Sequence, residues 1–589
     1  MGVDMMRKLM DEIRKSKPRK RLVIPPRENE IEIDPQGNIM PKLTSSSVMP
    51  EEVGHSSSHQ DSKSGSDSKN KSTDDSSKEG DKEENLDNDK TPVLSTLDEI
   101  KQYLEQETGF NSSFDLIMRE MVFGSVKVGI FYANGFAKDS VLTDIITRLS
   151  YAPEETIGRN PLFAINELLL PHIQVKPYST MAEIIGQVLS GSTAIFIEGE
   201  STALAVDAKV FPARTTEEPD LERVVRGARD GFVETLLTNV TLIRRRIRDP
   251  KLKLEIMQVG RRTKTDVCMA YIDDIADPEL VKAMRSKIEE LQVDGLPLAE
   301  KELEEMIIPQ PFNPYPTVRY SERPDVIATH LLEGHVAVVV DTSPSVMILP
   351  TTFFHHVQHA EEYRQNTFMG TYLRWVRFLG ILASLILLPL WYLMVIDPIH
   401  KPEAIYFIGP EKTGDIPIIM QFIIAELGID LLRMASVHTP SPLTVTMGLV
   451  AAILIGEIAV KTGLFINEVI LYFSIASIGM FSTPSYELGL ANRIARLLFL
   501  IAVSFFKGPG LVVAVTFWLL YLTLLRSYNS PYMWPFIPFN AMGFYSILIR
   551  RPITNNKTRL SLTKPIDSTR QHSKQEKSPD SSGNNNQKS

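Results

Sequence analysis

Few side chains in this sequence could carry chemistry. One cysteine, Cys268, occurs in the whole chain. That excludes an intramolecular disulfide, a zinc ribbon and an iron–sulfur cluster held by several thiolates. Its setting, TDVCMAYI, has the β-branched character of a buried strand, so core packing is the expectation. A histidine group, His355, His356 and His359, stands in FFHHVQHAEE. On a helix His355 and His359 would lie one turn apart, but no third ligand follows at a metal-binding spacing, so a polar helix face is expected and no metal. There is no Walker A loop, no dinucleotide glycine fingerprint, no HExxH and no nucleophile elbow. No enzyme activity and no cofactor are expected.

The more informative charges lie in apolar sequence. Ile416–Met434 is greasy apart from Gln421, Glu426, Asp430 and Arg433. At 100° per residue, Glu426, Asp430 and Arg433 share one stripe. Such a stripe suits an amphipathic or re-entrant helix at a membrane interface, or a polar contact inside an oligomer. In Leu443–Thr462, Gly448, Ala452 and Gly456 recur every four residues, the small-residue spacing that lets helices pack closely. Glu457 projects to another side, shared with Thr446, Val450 and Ile453. It can either pair with Lys461 one turn on or face a hydrated path, as pore-lining or gating residues do.

Those stripes need helices to carry them. Phe378–Ile396 has no charged residue and is long enough to cross about 30 Å of hydrocarbon. Further apolar segments are Val469–Phe481, Ile494–Phe506 and Leu511–Leu525. The four tryptophans (Trp375, Trp391, Trp518 and Trp534) fall in this region, mostly near segment ends, as interfacial anchors do. Arg374 and Arg377 precede the first span, and Arg550, Arg551, Lys557 and Arg559 follow the last. The positive-inside rule then puts both termini in the cytoplasm and predicts four or six crossings.

Upstream the pattern changes. Residues 1–92 are a polar tail whose composition cannot offset chain entropy, and a disordered tail is expected. No apolar stretch follows its basic residues, which predicts no cleavable signal. Residues 93–249 and 250–350 read as two small α/β subdomains split near Asp249-Pro250. Strands are expected at Val126–Tyr132, Thr193–Ile197, Leu252–Ile256 and Thr265–Ile272, and a hairpin at Val336–Leu349. A long helix is expected over Asp220–Arg246, its three final arginines suiting a helix C-terminus. Another should start at Asp277-Pro278. A juxtamembrane helix (351–374), a transmembrane domain (375–530) and a C-terminal tail (531–589, disordered from about 552) complete the plan. The fold class is an α+β soluble N-terminal module followed by an α-helical polytopic membrane bundle. At 589 residues with a net charge of −9, the chain has room for several domains and lacks the basic footprint of a nucleic-acid binder.

Long motifs in fixed order add a resemblance. RRRIRDPKLKLEIMQVGRRTKTDV (244–267), YIDDIADPELV (271–281), NPYPTVRYSERPDV (313–326), HLLEGHVAVVVDTSPSVMILPTTFF (330–354) and TPSYELGLANRIARL (483–497) resemble the A-subunit family of bacterial spore germinant receptors. The resemblance spans about residues 95–550. It implies a protein of the spore inner membrane whose soluble module faces the core, assembled as an oligomer that conducts ions during germination beside other germination proteins. A receptor subunit transducing nutrient signals and a non-conducting scaffold are the alternatives.

Overall fold

The computed structural model describes residues 91–170, 174–210, 222–308, 310, 312–398, 409–411, 414–438, 448, 457–528 and 530–570. The expected N-terminal tail lies outside them except at its last two residues.

Two five-stranded sheets form the soluble module. The first comprises β1 (Leu116–Phe123), β2 (Val126–Ala133), β3 (Val175–Tyr178), β4 (Thr193–Ile197) and β5 (Ala203–Val206), in the order β1-β2-β4-β5-β3. The second comprises β6 (Leu252–Val259), β7 (Thr265–Ile272), β8 (Arg319–Ser321), β9 (Val336–Val340) and β10 (Val346–Leu349), in the order β6-β7-β9-β10-β8. The two orders are one order used twice, and every pairing is antiparallel.

Period-two alternation places opposite sets of side chains on the two faces of each sheet. In the first, Phe131, Ala194, Phe196 and Ala205 face α1 (Leu97–Thr108) and α3 (Met181–Leu189); Ile130, Ile195, Ile197 and Leu204 face α2 (Asp139–Tyr151). In the second, Leu252, Leu254, Cys268, Ala270 and Val339 face α4 (Leu236–Arg246) and α7 (Pro324–Leu331). Met269, Tyr271, Val338 and Met347 face α5 (Pro278–Glu289) and α6 (Ala299–Ile307). Helix α5 begins as its residues dictate, with Asp277 accepting from the Glu279 amide at 3.0 Å and proline in the first turn.

The soluble module departs from the sequence reading around α4. The helix expected over Asp220–Arg246 is only Leu236–Arg246. Gly227, at φ +145°, and Gly231 favour loop over helix in the described residues before it. Leu236, Val240 and Ile243 pack into the second core, so α4 lies with the second sheet. Arg244 does not wait on a helix terminus: it is buried, donates to Asp115 at 2.7 Å and to the carbonyls of Asp249 and Leu252, and so joins the two subdomains.

The juxtamembrane helix is likewise broken. Phe353–Val357 and Ala360–Arg364 are separate short helices, with the His359 side chain capping the second. Helix α8 then runs over Thr367–Ile396, with a π-turn at Ala383–Leu387. It is followed by α9 (Ile418–His438), α10 (Asn467–Phe481), α11 (Tyr486–Leu524) and α12 (Ala541–Leu548). Of the described helices, α8 and α11 are long and apolar enough to cross a bilayer, and α10 is a shorter apolar one.

α11 is two arms. Lys507 has φ 51° and ψ −133°, and Pro509 follows. The arms fold back on each other, since the rings of Phe499 and Trp518 are 6.0 Å apart whereas a straight helix would separate these residues by about 28 Å. FFKGPG makes the bend: glycine is required at 510, where a Cβ would strike the Ala502 carbonyl oxygen. The two apolar segments read from sequence are therefore the two arms of one helical hairpin.

The C-terminal stretch is not disordered from 552. Residues 552–570 fold against the second subdomain: the Ile566 amide donates to the Ile275 carbonyl at 3.0 Å, Arg559 binds the Leu332 carbonyl at 2.8 Å, and Arg570 pairs with Glu333. Arginine side chains supply the order that the polar composition alone does not reveal.

Candidate functional site

The TPSYELGLANRIARL motif opens the first arm of α11 and places Asn492, Arg493 and Arg496 on its inner side, all buried. Opposite lies α9, whose Glu426 is 3 % exposed. Arg493 Nε donates to Glu426 Oε2 at 2.7 Å, and its other nitrogens pair with Asp430. Arg496 Nη2 lies 2.5 Å from Glu426 Oε1, and its Nη1 donates to the Ser384 carbonyl at 2.7 Å. Ser384 sits in the π-turn of α8, where the widened turn leaves a main-chain oxygen to accept. Two carboxylates and two guanidinium groups thus tie three apolar helices together. Each charge compensates another, which is the condition for burying them at all.

Of the predicted polar stripe, Glu426 and Asp430 meet in this network. Arg433 does not join it and instead lies over the rings of Tyr486 and Phe481, 5.1 and 5.7 Å from their centroids. Glu426 and Asp430 accordingly face the first arm of α11 within the chain. Asp430 is the partly exposed member.

Glu457 pairs with Lys461, Oε1 to Nζ 2.5 Å, and both side chains are exposed. Of the predicted packing stripe, Gly448 is helical and half-buried, and a Cβ there would meet nothing within 4 Å among the described residues. Ala452, Gly456, Thr446, Val450 and Ile453 lie outside the described residues. A close helix approach occurs between α8 and α10, where a Cβ on Gly479 would fall on the Gly380 carbonyl oxygen.

A second set of contacts joins the soluble module to α11. Tyr315, in NPYP (313–316), has its hydroxyl 3.3 Å from Asn492 Oδ1 and accepts from Trp518 Nε1 at 2.5 Å. Tyr521 donates to Asn313 Oδ1 at 2.8 Å. Below α8, Glu362 is fully buried between Arg374, at 2.7 Å, and Arg377. Sequence reasoning passed over Tyr315, Glu362, Asn492, Arg493 and Arg496 as functional positions. The available signal was two arginines three residues apart in an otherwise apolar segment, the pattern expected of side chains with buried acidic partners.

His355 and His359 do not share a helix face, because the helix is interrupted between them. His355 stacks edge-on with His330 and His335, ring centroids 5.7 and 5.2 Å away. Among the described residues, no group of three or more His, Cys, Asp or Glu could hold a metal ion. Cys268 is fully buried in β7, and burial pushes its thiol well above the usual range, away from nucleophilic use.

A family model described as Bacillus/Clostridium GerA spore germination protein matches residues 101–562. The chain belongs to the GerA family. It is 47% identical to stage V sporulation protein AF of Bacillus subtilis (strain 168) over 471 residues, which cover 80% of this chain and 96% of that one. To spore germination protein KA of the same organism it is 28% identical, over 83% of this chain and 91% of that one. The crystal structure of the N-terminal domain of the A subunit of the Bacillus megaterium spore germinant receptor GerK3 aligns with a TM-score of 0.36 and 28% identity, covering 45% of this chain and 98% of that one.

Proposed function

We propose that this chain is an oligomeric ion-channel subunit that promotes ion release during spore germination. It would lie in the inner membrane of the spore with the soluble module on the core side. The observation carrying this reading is the four-charge network of Glu426, Asp430, Arg493 and Arg496 inside apolar helices. Charges at membrane depth are costly and occur where they face protein or water. Partly exposed Asp430 and the exposed Glu457–Lys461 pair are the positions at which a neighbouring copy or an aqueous lumen would meet this chain. α8, α10 and the two arms of α11 would supply four crossings. α9 with the 443–462 segment would add two, keeping the number even and both termini on one side.

Sequence kinship to the germination protein KA supports a second reading, a receptor A subunit transducing nutrient signals. A non-conducting scaffold is the third. Liposomes containing the purified full-length chain separate them. A cation leak is expected from the wild type, reduced or altered in selectivity by Glu457→Gln at unchanged protein level and oligomer size. No leak at all would leave the scaffold or the receptor reading. If Glu457→Gln instead lowers abundance and Lys461→Gln restores it, with conductance per molecule unchanged, Glu457 serves only its ion pair.

A further inference from the structure

A cavity of about 430 Å³ opens where three distant parts of the chain meet: β8 and α7 of the second subdomain, the broken connector before α8, and the stretch 546–570. This volume is within the range of small-molecule sites, roughly 300–1,000 Å³. Its walls are cationic. Six arginines line it (Arg319, Arg364, Arg374, Arg550, Arg551 and Arg570) against two carboxylates, Asp325 and Glu333.

Most of these charges are matched. Asp325 pairs with Arg323 and Arg364, and Glu333 with Arg570. Arg374 is held by Glu362 behind the wall, and Arg319 is 3.7 Å from Glu222. Arg550 and Arg551 are different. Arg550 donates only to main-chain carbonyls, of Gln365 at 2.5 Å and Tyr363 at 2.8 Å, and Arg551 to that of Met542 at 3.4 Å. The Nε of each is buried without a hydrogen-bond partner. Among the described residues neither has a carboxylate in ion-pair range.

Histidines complete the wall. His335 is 4 % exposed, its Nδ1–H donates to the His330 carbonyl at 3.1 Å, and its buried Nε2 has no partner. His355 Nδ1 accepts from the Thr352 amide at 3.2 Å, so its proton is on Nε2, available to donate. Burial and Arg319 hold His330, His335, His355 and His359 below the ordinary imidazole range, so all four are neutral at pH 7. Two guanidinium groups without a carboxylate partner are costly to fold around unless something negative meets them, and the unprotonated Nε2 of His335 calls for a donor.

We propose that this cavity binds a small solute carrying a doubly charged oxyanion, a phosphate or its ester, held by Arg550, Arg551 and the Nε2–H of His355, with a hydroxyl of the solute donating to His335 Nε2. Guanidinium groups suit that chemistry because they offer paired, permanently charged donors. The bound anion would join the C-terminal stretch to the second subdomain and the connector leading to α8. A free solute is favoured over a lipid phosphate because the floor is the buried histidine cluster and the lid is the 553–570 segment, both parts of the soluble side.

The test uses the full-length chain in detergent micelles, titrated with inorganic phosphate by calorimetry and thermal shift at constant ionic strength, with chloride as control. Saturable binding is expected, tighter at pH 8 than at pH 6, because inorganic phosphate carries its second charge mainly at the higher pH while the imidazoles are neutral at both. Arg551→Gln and His335→Asn should each weaken it about tenfold or more while leaving the phosphate-free melting temperature within a few degrees. Arg551→Lys should recover part of the loss. No saturable response up to about 10 mM phosphate overturns the proposal, as does binding that neither variant changes. A parallel arm incorporates the chain in nanodiscs with and without phosphatidic acid. Dependence of the variants' effect on that lipid, with free phosphate inactive, would make the site a headgroup clamp and overturn the free-solute assignment.

Discussion

Arg493 is the residue on which the helical region turns. It reaches two carboxylates of α9 from the first arm of α11, and with Arg496 it balances their charge. Removing one partner of a buried pair leaves the other charge uncompensated, at a cost of about 3–5 kcal/mol, whereas removing both charges costs far less. Arg493→Gln should therefore lower the melting temperature and cellular abundance of the full-length chain sharply. Glu426→Gln combined with Arg493→Gln should recover part of the loss, although Asp430 and Arg496 each lose the partner that the double variant neutralises. A double-mutant cycle on the detergent-solubilised protein checks this, and additive losses would mean that the two groups act independently. The adjacent Asn492 contacts Tyr315, so consecutive residues of one motif serve different joints: one inside the helical region, one to the soluble module.

At the scale of elements, Gly380 and Gly479 make a close helix packing among the described residues. α8 and α10 cross where Gly479 faces Gly380 backbone to backbone, and Ser384 packs beside them. A methyl group at 479 has no space unless the helices separate, and separation would also disturb the π-turn that offers the Ser384 carbonyl to Arg496. Gly479→Ala should destabilise by about 1–3 kcal/mol, the cost typical of overpacking, read as a lower melting temperature and faster proteolysis between α10 and α11. Gly448→Ala should be close to silent in the isolated chain, because among the described residues a Cβ there meets nothing within 4 Å. If Gly479→Ala is equally silent, the crossing is looser than its geometry indicates. The arms of α11 follow the same logic, with the Gly510 backbone lying against the Ala502 carbonyl.

Across the whole molecule, the soluble module uses one topology twice, and the connector and C-terminal stretch wrap its second copy. Buried histidines concentrate at this seam. Burial holds His335 down to about 4, His356 to about 3 and His359 to about 4, against about 6.5 when unfolded. Between those values the unfolded chain binds more protons than the folded one. Stability is therefore complete above about pH 6.5 and falls as pH drops toward 4. The expected outcome is a melting temperature that declines between pH 7 and pH 5 in phosphate-free buffer. His356→Asn, which removes one titrating group, should flatten part of the decline. A level profile would mean that these imidazoles are solvated in the folded state.

Composition and periodicity by themselves determined the large divisions: a polar tail, a mixed α and β module, and apolar helices after residue 375. They also located most strands, because alternation with a buried face is a local property of the chain. The start of α5 was legible for the same reason, since a cap and a proline act within one turn. What only the tertiary structure decided depended on partners far away in sequence. The single topology shared by the two sheets, the inward turn of Arg244 toward Asp115 and the folding-back of α11 at Lys507 are of this kind. So is the order of residues 552–570, which a local reading scores as polar tail but which arginine contacts to Leu332 and Glu333 hold in place. The polar stripe on α9 was visible as a stripe. Its meaning required Arg493 and Arg496, because a buried charge is defined by the opposite charge that meets it, and here that charge comes from more than sixty residues along the chain.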